Sequence, residues 1–151
     1  MIRDYLTTDS VDVNVEVKDW KEAIIKSGEL LVRNNCATEE YIDGMIETVK
    51  EYGPYIVVLP QVAISHARPE QGALKIGLSL ISLKDGVNFG NEMNDPVRLV
   101  FSLCAIDNHS HLELLQEMAI LFEDNSNIEA LIDSRTKEEL VSKIYEITSR
   151  I

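Results

Sequence analysis

The first third of the chain shows one strand-like pattern followed by two helical ones. Residues 11–17, VDVNVEV, alternate apolar and polar side chains, which is the period of a half-buried strand. Asp19 and Glu22 stand three residues apart, which predicts a helix cap, and apolar residues recur behind them with helical spacing. Thr38 is in position to cap a second helix, which we expect to end before Gly53.

The middle of the chain consists of short apolar segments separated by turn residues. We predict strands, or pieces of strands, at residues 55–60, 62–65, 77–84 and 97–106. The last of them, VRLVFSLCAI, is almost entirely apolar, which is typical of a central strand that is covered on both faces.

Three helices are predicted to close the chain. Each begins with a serine or threonine followed three positions later by a glutamate, at Ser110 and Glu113, Ser126 and Glu129, and Thr136 and Glu139. The order of strands and helices predicts an α/β fold. We expect a single domain over residues 1–151, with a mixed parallel and antiparallel sheet of about five strands and helices on both faces.

The overall charge narrows the classes of partner. The 151 residues carry a formal net charge of −12, which argues against binding to nucleic acid or to anionic membrane surfaces. No apolar run reaches the roughly 18 residues of a membrane-spanning helix, and the start of the chain, MIRDYLTTDS, has no hydrophobic signal region. We therefore expect a cytoplasmic protein with no direct membrane insertion.

The sequence also lacks the common motifs for metal and nucleotide binding. Cys36 and Cys104 form no CxxC motif, which argues against a zinc ribbon or a redox pair, and we expect both to be structural. No Walker A or GxGxxG motif is present, so no nucleotide and no other cofactor is expected.

Histidines follow two of the predicted strands. His66 comes directly after segment 62–65, and His109 and His111 follow segment 97–106. Ligands bind at the carboxyl ends of strands in open α/β sheets. We therefore expect His66 and His111 to meet at such an edge.

A helix start next to these histidines favours an anionic ligand. With Ser110 as the N-cap, His111 is the first helical residue, where unpaired N–H groups and the partial positive charge of the helix attract anions. His109 points elsewhere and receives no role. A surface position without function is the alternative for either histidine.

The neighbours of His66 suit a nucleophile. A nearby cation such as Arg68 lowers the pKa of the imidazole and keeps it neutral at pH 7. A neutral imidazole has a lone pair that can attack phosphorus, and the planar guanidinium of Arg68 can hold the phosphoryl oxygens. The alternative for Arg68 is a solvated charge that pairs with Glu70.

Two other chemistries fit the same region less well. A small metal enzyme would draw its ligands from four residues, Asp107, His109, His111 and His66. No HExxH or cysteine motif supports such a site, and we predict no metal. Ser65 precedes His66, but no GxSxG elbow is present and adjacent strand residues point to opposite sides, so a Ser-His hydrolase is not expected.

Several segments, taken in order, resemble one known family. The family is the enzyme IIA domain of the sugar phosphotransferase system, of the mannitol–fructose type (type 2), and the likeness is greatest to its ascorbate-type branch. The segments that carry the resemblance are YGPYIVVLP, SHARPE, DPVRLVF and SHLELLQEMA. The N-terminal segments RDYLT and VDVNVEVKDWKEAI are similar too, so the likeness spans the whole predicted domain.

The resemblance implies a phosphocarrier. In this family a histidine takes a phosphoryl group from the small phosphocarrier protein HPr and passes it to a cysteine of a IIB component, which serves a membrane IIC transporter. The active histidine matches His66, the assisting histidine matches His111, and His109 matches nothing in the pattern. The resemblance thus implies HPr and IIB as partners and sugar uptake as the process, with an ascorbate-type sugar as the candidate cargo. The sequence is compatible with a homo-oligomer and leaves the oligomeric state open.

The chain also departs from the family pattern. Ser65 stands where the family commonly has proline, Gln61 replaces the usual glycine, and residues 45–52 lack the arginine that many members carry. Arg68 is then the nearest cation for a phosphoryl clamp. A second function stays open, in which a regulatory IIA-like module binds target proteins according to the phosphorylation of His66.

Overall fold

The computed structural model describes residues 2–149, which form five strands and five α-helices together with two short 3-10 helices. In chain order the strands and α-helices are β1 Val11–Val15, α1 Trp20–Arg33, α2 Glu39–Tyr52, β2 Val57–Leu59, β3 Val62–Ser65, β4 Gly77–Val87, β5 Val97–Cys104, α3 Asn108–Leu121, α4 Asn125–Ile132 and α5 Lys137–Thr148. The 3-10 helices are Ile2–Asp4 and Pro69–Gln71. No helix within residues 2–149 has the length and apolar character that crossing a membrane requires.

The five strands form one mixed sheet, as predicted. The strand order is β1-β4-β5-β3-β2, which places the apolar strand β5 in the centre. The pairs β1–β4 and β3–β5 are parallel, whereas β4–β5 and β2–β3 are antiparallel. In the parallel pair Ser65 is the register partner of Ser102, so β3 and β5 end at the same edge of the sheet.

Helices cover both faces of the sheet, and each face has its own apolar core. Along β3, Val62 and Ile64 pack in the core formed with α3, α4 and α5, whereas Ala63 packs in the core formed with α1 and α2. Along β5, Phe101 and Val100 divide in the same way. This alternation is the expected consequence of the two-residue period of a strand that is buried on both faces.

The predicted strand boundaries need correction at their ends. The segment predicted as 55–60 is a strand only over Val57–Leu59, and the segment predicted as 97–106 ends at Cys104. The strand predicted at 77–84 continues to Val87, and the first strand ends at Val15 rather than at residue 17.

Two of the predicted helix caps are wrong, and both errors have the same cause. The side chain of Asp107, not that of Ser110, caps α3, because its Oδ1 accepts a hydrogen bond from Ser110 N at 2.7 Å. Asp124 likewise caps α4 in place of Ser126 and accepts from its backbone N–H at 2.9 Å. An aspartate that precedes the serine has taken the capping role in each case. The predicted caps Asp19 and Thr136 are confirmed by their hydrogen bonds.

Candidate active site

His66 and His111 lie side by side at the edge where β3 and β5 end. Their ring centroids are 5.4 Å apart, with 62° between the ring planes. His66 is the first residue after β3, and His111 lies in the first turns of α3, which follows β5 after a short connection. The two imidazoles, 45 positions apart in the sequence, therefore meet as the strand-end rule predicts.

The hydrogen bonds of His66 determine which ring nitrogen carries the proton. Nδ1 lies 3.2 Å from the carbonyl oxygen of Ile64. A carbonyl oxygen can only accept, so this contact requires the proton on Nδ1 and leaves a lone pair on Nε2. Nε2 in turn lies 3.4 Å from the hydroxyl of Tyr55.

Both imidazoles are held neutral, but not for the reason that the sequence suggests. Burial lowers the pKa of His66 below its ordinary value, against the opposing effect of the hydrogen bond to Ile64. Burial, followed by the proximity of His66, lowers the pKa of His111. Arg68 is exposed and is not among the causes of the pKa shift of His66, so desolvation rather than a neighbouring cation favours the uncharged imidazole.

The start of α3 is a less favourable anion site than the sequence predicts. His111 is the fourth residue of the helix rather than the first, and its backbone N–H donates to the carbonyl oxygen of Asp107 at 3.2 Å. The carboxylate of Asp107 accepts from the N–H of Ser110, and the hydrogen bonds of Ser110, followed by smaller effects of His109, lower its pKa. This carboxylate already occupies the N–H of Ser110 and places a negative charge at the helix start, so the imidazole of His111 is a better donor to an incoming anion than the helix start itself.

A cleft of about 250 Å³ opens directly over the two histidines. Its lining includes Thr48 and Tyr52 from α2, Tyr55 from the loop before β2, and Arg68 from the segment after His66. Tyr52 and Tyr55 in this lining are exposed, and so are Ile106 and Leu112, which precede Asp107 and follow His111 in the sequence. His66 thus lies in a shallow, open depression with exposed apolar side chains around it.

Arg68 lines the cleft with an exposed side chain. Its backbone N–H donates to Gln71 Oε1 at 3.0 Å, which fixes the backbone of this segment. In the part of the chain that the structure describes, Arg68 forms no ion pair with Glu70, the partner that the solvated-charge alternative requires. The guanidinium is therefore free to turn towards the cleft.

His109 lies away from the two other histidines. Its Nε2 is 2.9 Å from Glu113 Oε1 one helical turn on, and 82% of its side chain is exposed. Within residues 2–149, no group of three or more histidine, cysteine, aspartate or glutamate side chains is arranged to hold a metal ion. The metal site drawn from Asp107 and the histidines therefore has no geometric support.

Comparison with known sequences identifies the family. The profile of the family described as "Phosphoenolpyruvate-dependent sugar phosphotransferase system, EIIA 2" matches residues 4–147. The chain belongs to this family. It is therefore an EIIA protein, a phosphotransferase component of the system that takes up sugars.

Relatives and solved structures agree with this assignment. The EIIA chain is 34% identical over 145 residues to the ascorbate-specific EIIA component of Escherichia coli (strain K12), which covers 95% of this chain and 94% of the relative. The mannitol-specific cryptic enzyme IIA CmtB of Escherichia coli superimposes with a TM-score of 0.83 at 36% identity, over 98% and 97% of the two chains. A complex of the mannitol enzyme IIA with phosphorylated IIB from Escherichia coli gives a TM-score of 0.80 at 25% identity, over 95% and 96%.

Sequence reasoning missed a buried tyrosine that fixes the active-site loop of this EIIA. The hydroxyl of Tyr41, in α2, donates to the carbonyl oxygen of Leu103 at 2.7 Å and accepts from Ala67 N at 3.1 Å. It thereby ties the residue after His66 to the end of β5. The available signal was a tyrosine on the apolar face of a predicted helix, because a buried phenol needs a polar partner.

In this EIIA a buried serine, Ser65, occupies the position at which the family commonly has proline. Ser65 is fully buried, and its hydroxyl has no hydrogen-bond partner among the described residues. As a neighbour of Ile64 on β3 it faces the α1–α2 side of the sheet, whereas Ile64 packs on the α3–α5 side. Ser65 and His66 therefore form no catalytic pair, as expected.

Proposed function

We propose that this EIIA chain accepts a phosphoryl group from phospho-HPr on Nε2 of His66 and donates it to a separate IIB component. The observation that carries the proposal is a neutral imidazole whose lone pair, on Nε2, faces an open cleft beside a second imidazole. In the forward step the P–N bond of phospho-HPr breaks as the P–Nε2 bond forms, and the lone pair returns to the histidine of HPr. In the second step the cysteine thiolate of IIB attacks phosphorus, the P–S bond forms as the P–Nε2 bond breaks, and the electron pair returns to Nε2 of the neutral imidazole.

The hydrogen bond to Ile64 supports this chemistry. The ring of His66 gains positive charge as Nε2 bonds to phosphorus, and Nδ1–H is then a stronger donor to the Ile64 carbonyl oxygen, 3.2 Å away. An interaction that strengthens as charge develops lowers the barrier rather than only the energy of the ground state.

The phosphoryl oxygens are stabilised by donors on the same cleft. His111 donates an imidazole N–H from its position beside His66, and Arg68 supplies the positive charge as a phosphoryl clamp. Because Arg68 is exposed, its attraction is screened by water, and we assign the larger contribution to His111.

The proposed partners dock in turn on the apolar rim of the cleft. HPr and the IIB component each need to bring a phosphorus atom to Nε2 of His66, so their contacts include exposed side chains such as Tyr52 and Leu112. Interfaces of this transient kind are small, below about 1,200 Å². We place the protein in the cytoplasm as one EIIA type 2 domain over residues 1–151, which serves a membrane IIC transporter for an ascorbate-type sugar.

Intact mass spectrometry tests the proposal. The chain is incubated with phosphoenolpyruvate, enzyme I and HPr, and we expect one added phosphoryl group, absent in His66→Ala and present in the control His109→Ala. Addition of the matching IIB component should then remove the group. Uptake by His66→Ala contradicts the proposal, and a phosphorylated chain that IIB leaves unchanged favours the regulatory function instead.

A further inference from the structure

Tyr55 places its hydroxyl on the nitrogen that the proposed function assigns as the nucleophile. It lies in the loop between Gly53, which ends α2 with a φ of 87°, and Val57, which starts β2. The hydroxyl is 3.4 Å from His66 Nε2, and the two rings meet edge to face with centroids 5.9 Å apart.

The direction of this hydrogen bond follows from the tautomer of His66. With the proton on Nδ1, Nε2 can only accept, so the hydroxyl of Tyr55 donates to its lone pair. Burial, followed by the neighbouring Tyr52, raises the pKa of Tyr55, so the phenol keeps its proton at neutral pH. A phosphorus atom that bonds to Nε2 has to take the place of this phenolic hydrogen.

The displaced hydroxyl is then next to the new phosphoryl oxygens. The side chain of Tyr55 is 49% exposed, which leaves it room to rotate by the small amount that the exchange requires. Two other polar groups of the lining are less suitable: Thr48 Oγ1 donates to the carbonyl oxygen of Gly44 at 2.8 Å, and Asp107 is an anion that repels phosphate. α2 also lacks an arginine that reaches the cleft.

We propose that Tyr55 is a catalytic hydrogen-bond donor, which transfers its hydrogen bond from His66 Nε2 in the resting protein to a phosphoryl oxygen during phosphoryl transfer. The inference rests on the proposed function of His66. The phenolic proton stays on Tyr55 throughout, and the only bonds that change are the P–N bond broken on HPr and the P–N bond formed on His66. Tyr55 thus supplies a neutral donor beside the mobile charge of Arg68.

The test compares two half-exposed tyrosines, one in the cleft and one outside it. Tyr55→Phe keeps the ring and its edge contact with His66 but removes the hydroxyl, and Tyr145→Phe is the matched control because Tyr145, on α5, is similarly exposed and does not line the cleft. Loss of one preorganised donor costs up to about 10²–10³ in rate. For this half-exposed donor we expect acceptance from phospho-HPr to slow about 10-fold to 10²-fold in Tyr55→Phe, and to stay within about twofold of wild type in Tyr145→Phe.

A second measurement reports on the contact itself. In ¹⁵N NMR spectra of the unphosphorylated protein, Tyr55→Phe should move the His66 Nε2 resonance towards that of an unbonded pyridine-type nitrogen, and Tyr145→Phe should not. Unchanged spectra and rates in Tyr55→Phe, with acceptance abolished in His66→Ala, overturn the role of Tyr55 and leave the function of His66 standing. Acceptance by His66→Ala overturns both.

Discussion

Two pairs of nucleophilic side chains lie near the carboxyl end of β5, and they differ in their exposure to solvent. His66 and His111 are half-buried beneath a cleft that opens to solvent. Cys36 and Cys104 are both buried, and Cys104 Sγ lies 3.3 Å from the carbonyl oxygen of Lys75. The imidazole pair is thus accessible to another protein, whereas both thiols are buried, and Cys36 keeps only 9% of its surface exposed beside a separate cleft.

The more accessible pair is not distinguished by a greater intrinsic reactivity. A hydrogen bond from the Cys104 thiol and, more weakly, the charge of Lys75 lower the pKa of Cys36 despite its burial. This favours the thiolate, which is the reactive form of cysteine. Yet the sulphurs are packed so closely against Gly77 that a Cβ on that residue would lie 2.7 Å from Cys36 Sγ and 3.1 Å from Cys104 Sγ. A carrier needs an open approach for a partner-bound phosphorus atom, so access rather than nucleophilicity favours His66.

The largest expected effect tests this contrast directly. His66→Ala should abolish phosphoryl acceptance, because no neighbour can replace a covalent carrier, whereas Cys36→Ser should accept at the wild-type rate. Timed reactions with phospho-HPr, followed by intact mass, measure both variants. Phosphoryl acceptance that survives in His66→Ala and disappears in Cys36→Ser would reverse the comparison and identify the buried thiol of Cys36 as the carrier.

The contribution of the second imidazole should be smaller. His111→Ala keeps the nucleophile and removes one donor, which we expect to slow acceptance by about 10²-fold. The helix start compensates little, because the carboxylate of Asp107 accepts from the N–H of Ser110 and is itself an anion. His109→Ala, on the exposed side of the same helix, is the control and should match wild type in the same stopped reactions.

The pH dependence of His66 should reflect its burial. An unperturbed histidine has a pKa of 6.5 and is half protonated at that pH. Because the pKa of His66 is lower, its imidazole is still mainly neutral at pH 6.5. Between 6.5 and the folded-state pKa the unfolded chain binds a proton that the folded chain does not, so the free energy of unfolding should decrease as the pH falls through this window. NMR titration of the His66 ring, folded and in urea, measures both midpoints. A folded midpoint at or above the unfolded one would contradict burial as the dominant influence.

The smallest effect is expected at the exposed cation. Arg68→Ala should slow acceptance several-fold, and Arg68→Lys should recover only part of the loss because lysine lacks the planar fork. Initial rates at low and high salt test the charge, since an exposed interaction is screened. Wild-type rates for both variants would show that Arg68 is a solvated surface residue with no role in phosphoryl transfer.

The sequence predicted the location of this site better than its contacts. The meeting of His66 and His111 follows from strand ends alone, and strand ends are visible as the limits of apolar runs. The start of α3 was placed three residues late, because Asp107 and Ser110 are both good caps and only the backbone decides between them. The source of the His66 pKa shift was also missed, since burial depends on contacts between elements that are distant in the chain.

The contacts of Tyr41 and Tyr55 could not be predicted from the sequence for a similar reason. Tyr41 bonds Ala67 and Leu103 across 26 and 62 positions, and no local pattern specifies such partners. Tyr55 and His66 are only 11 positions apart, but their contact depends on how the chain turns between α2 and β2. Donor and acceptor pairing between elements is a property of the assembled fold.

The hydroxyl of Tyr41 has a consequence for how the molecule folds. Its two partners belong to the segment after β3 and to β5, so the two bonds together require that α2 is docked on the sheet and that β3 is paired with β5. Contacts of long sequence separation form slowly, because chain entropy is lost before they can stabilise the structure. The loop that carries His66 should therefore become ordered late, and a nascent or partly unfolded chain should not carry phosphate. Competence to act as a carrier would then be a property of the completely folded protein alone.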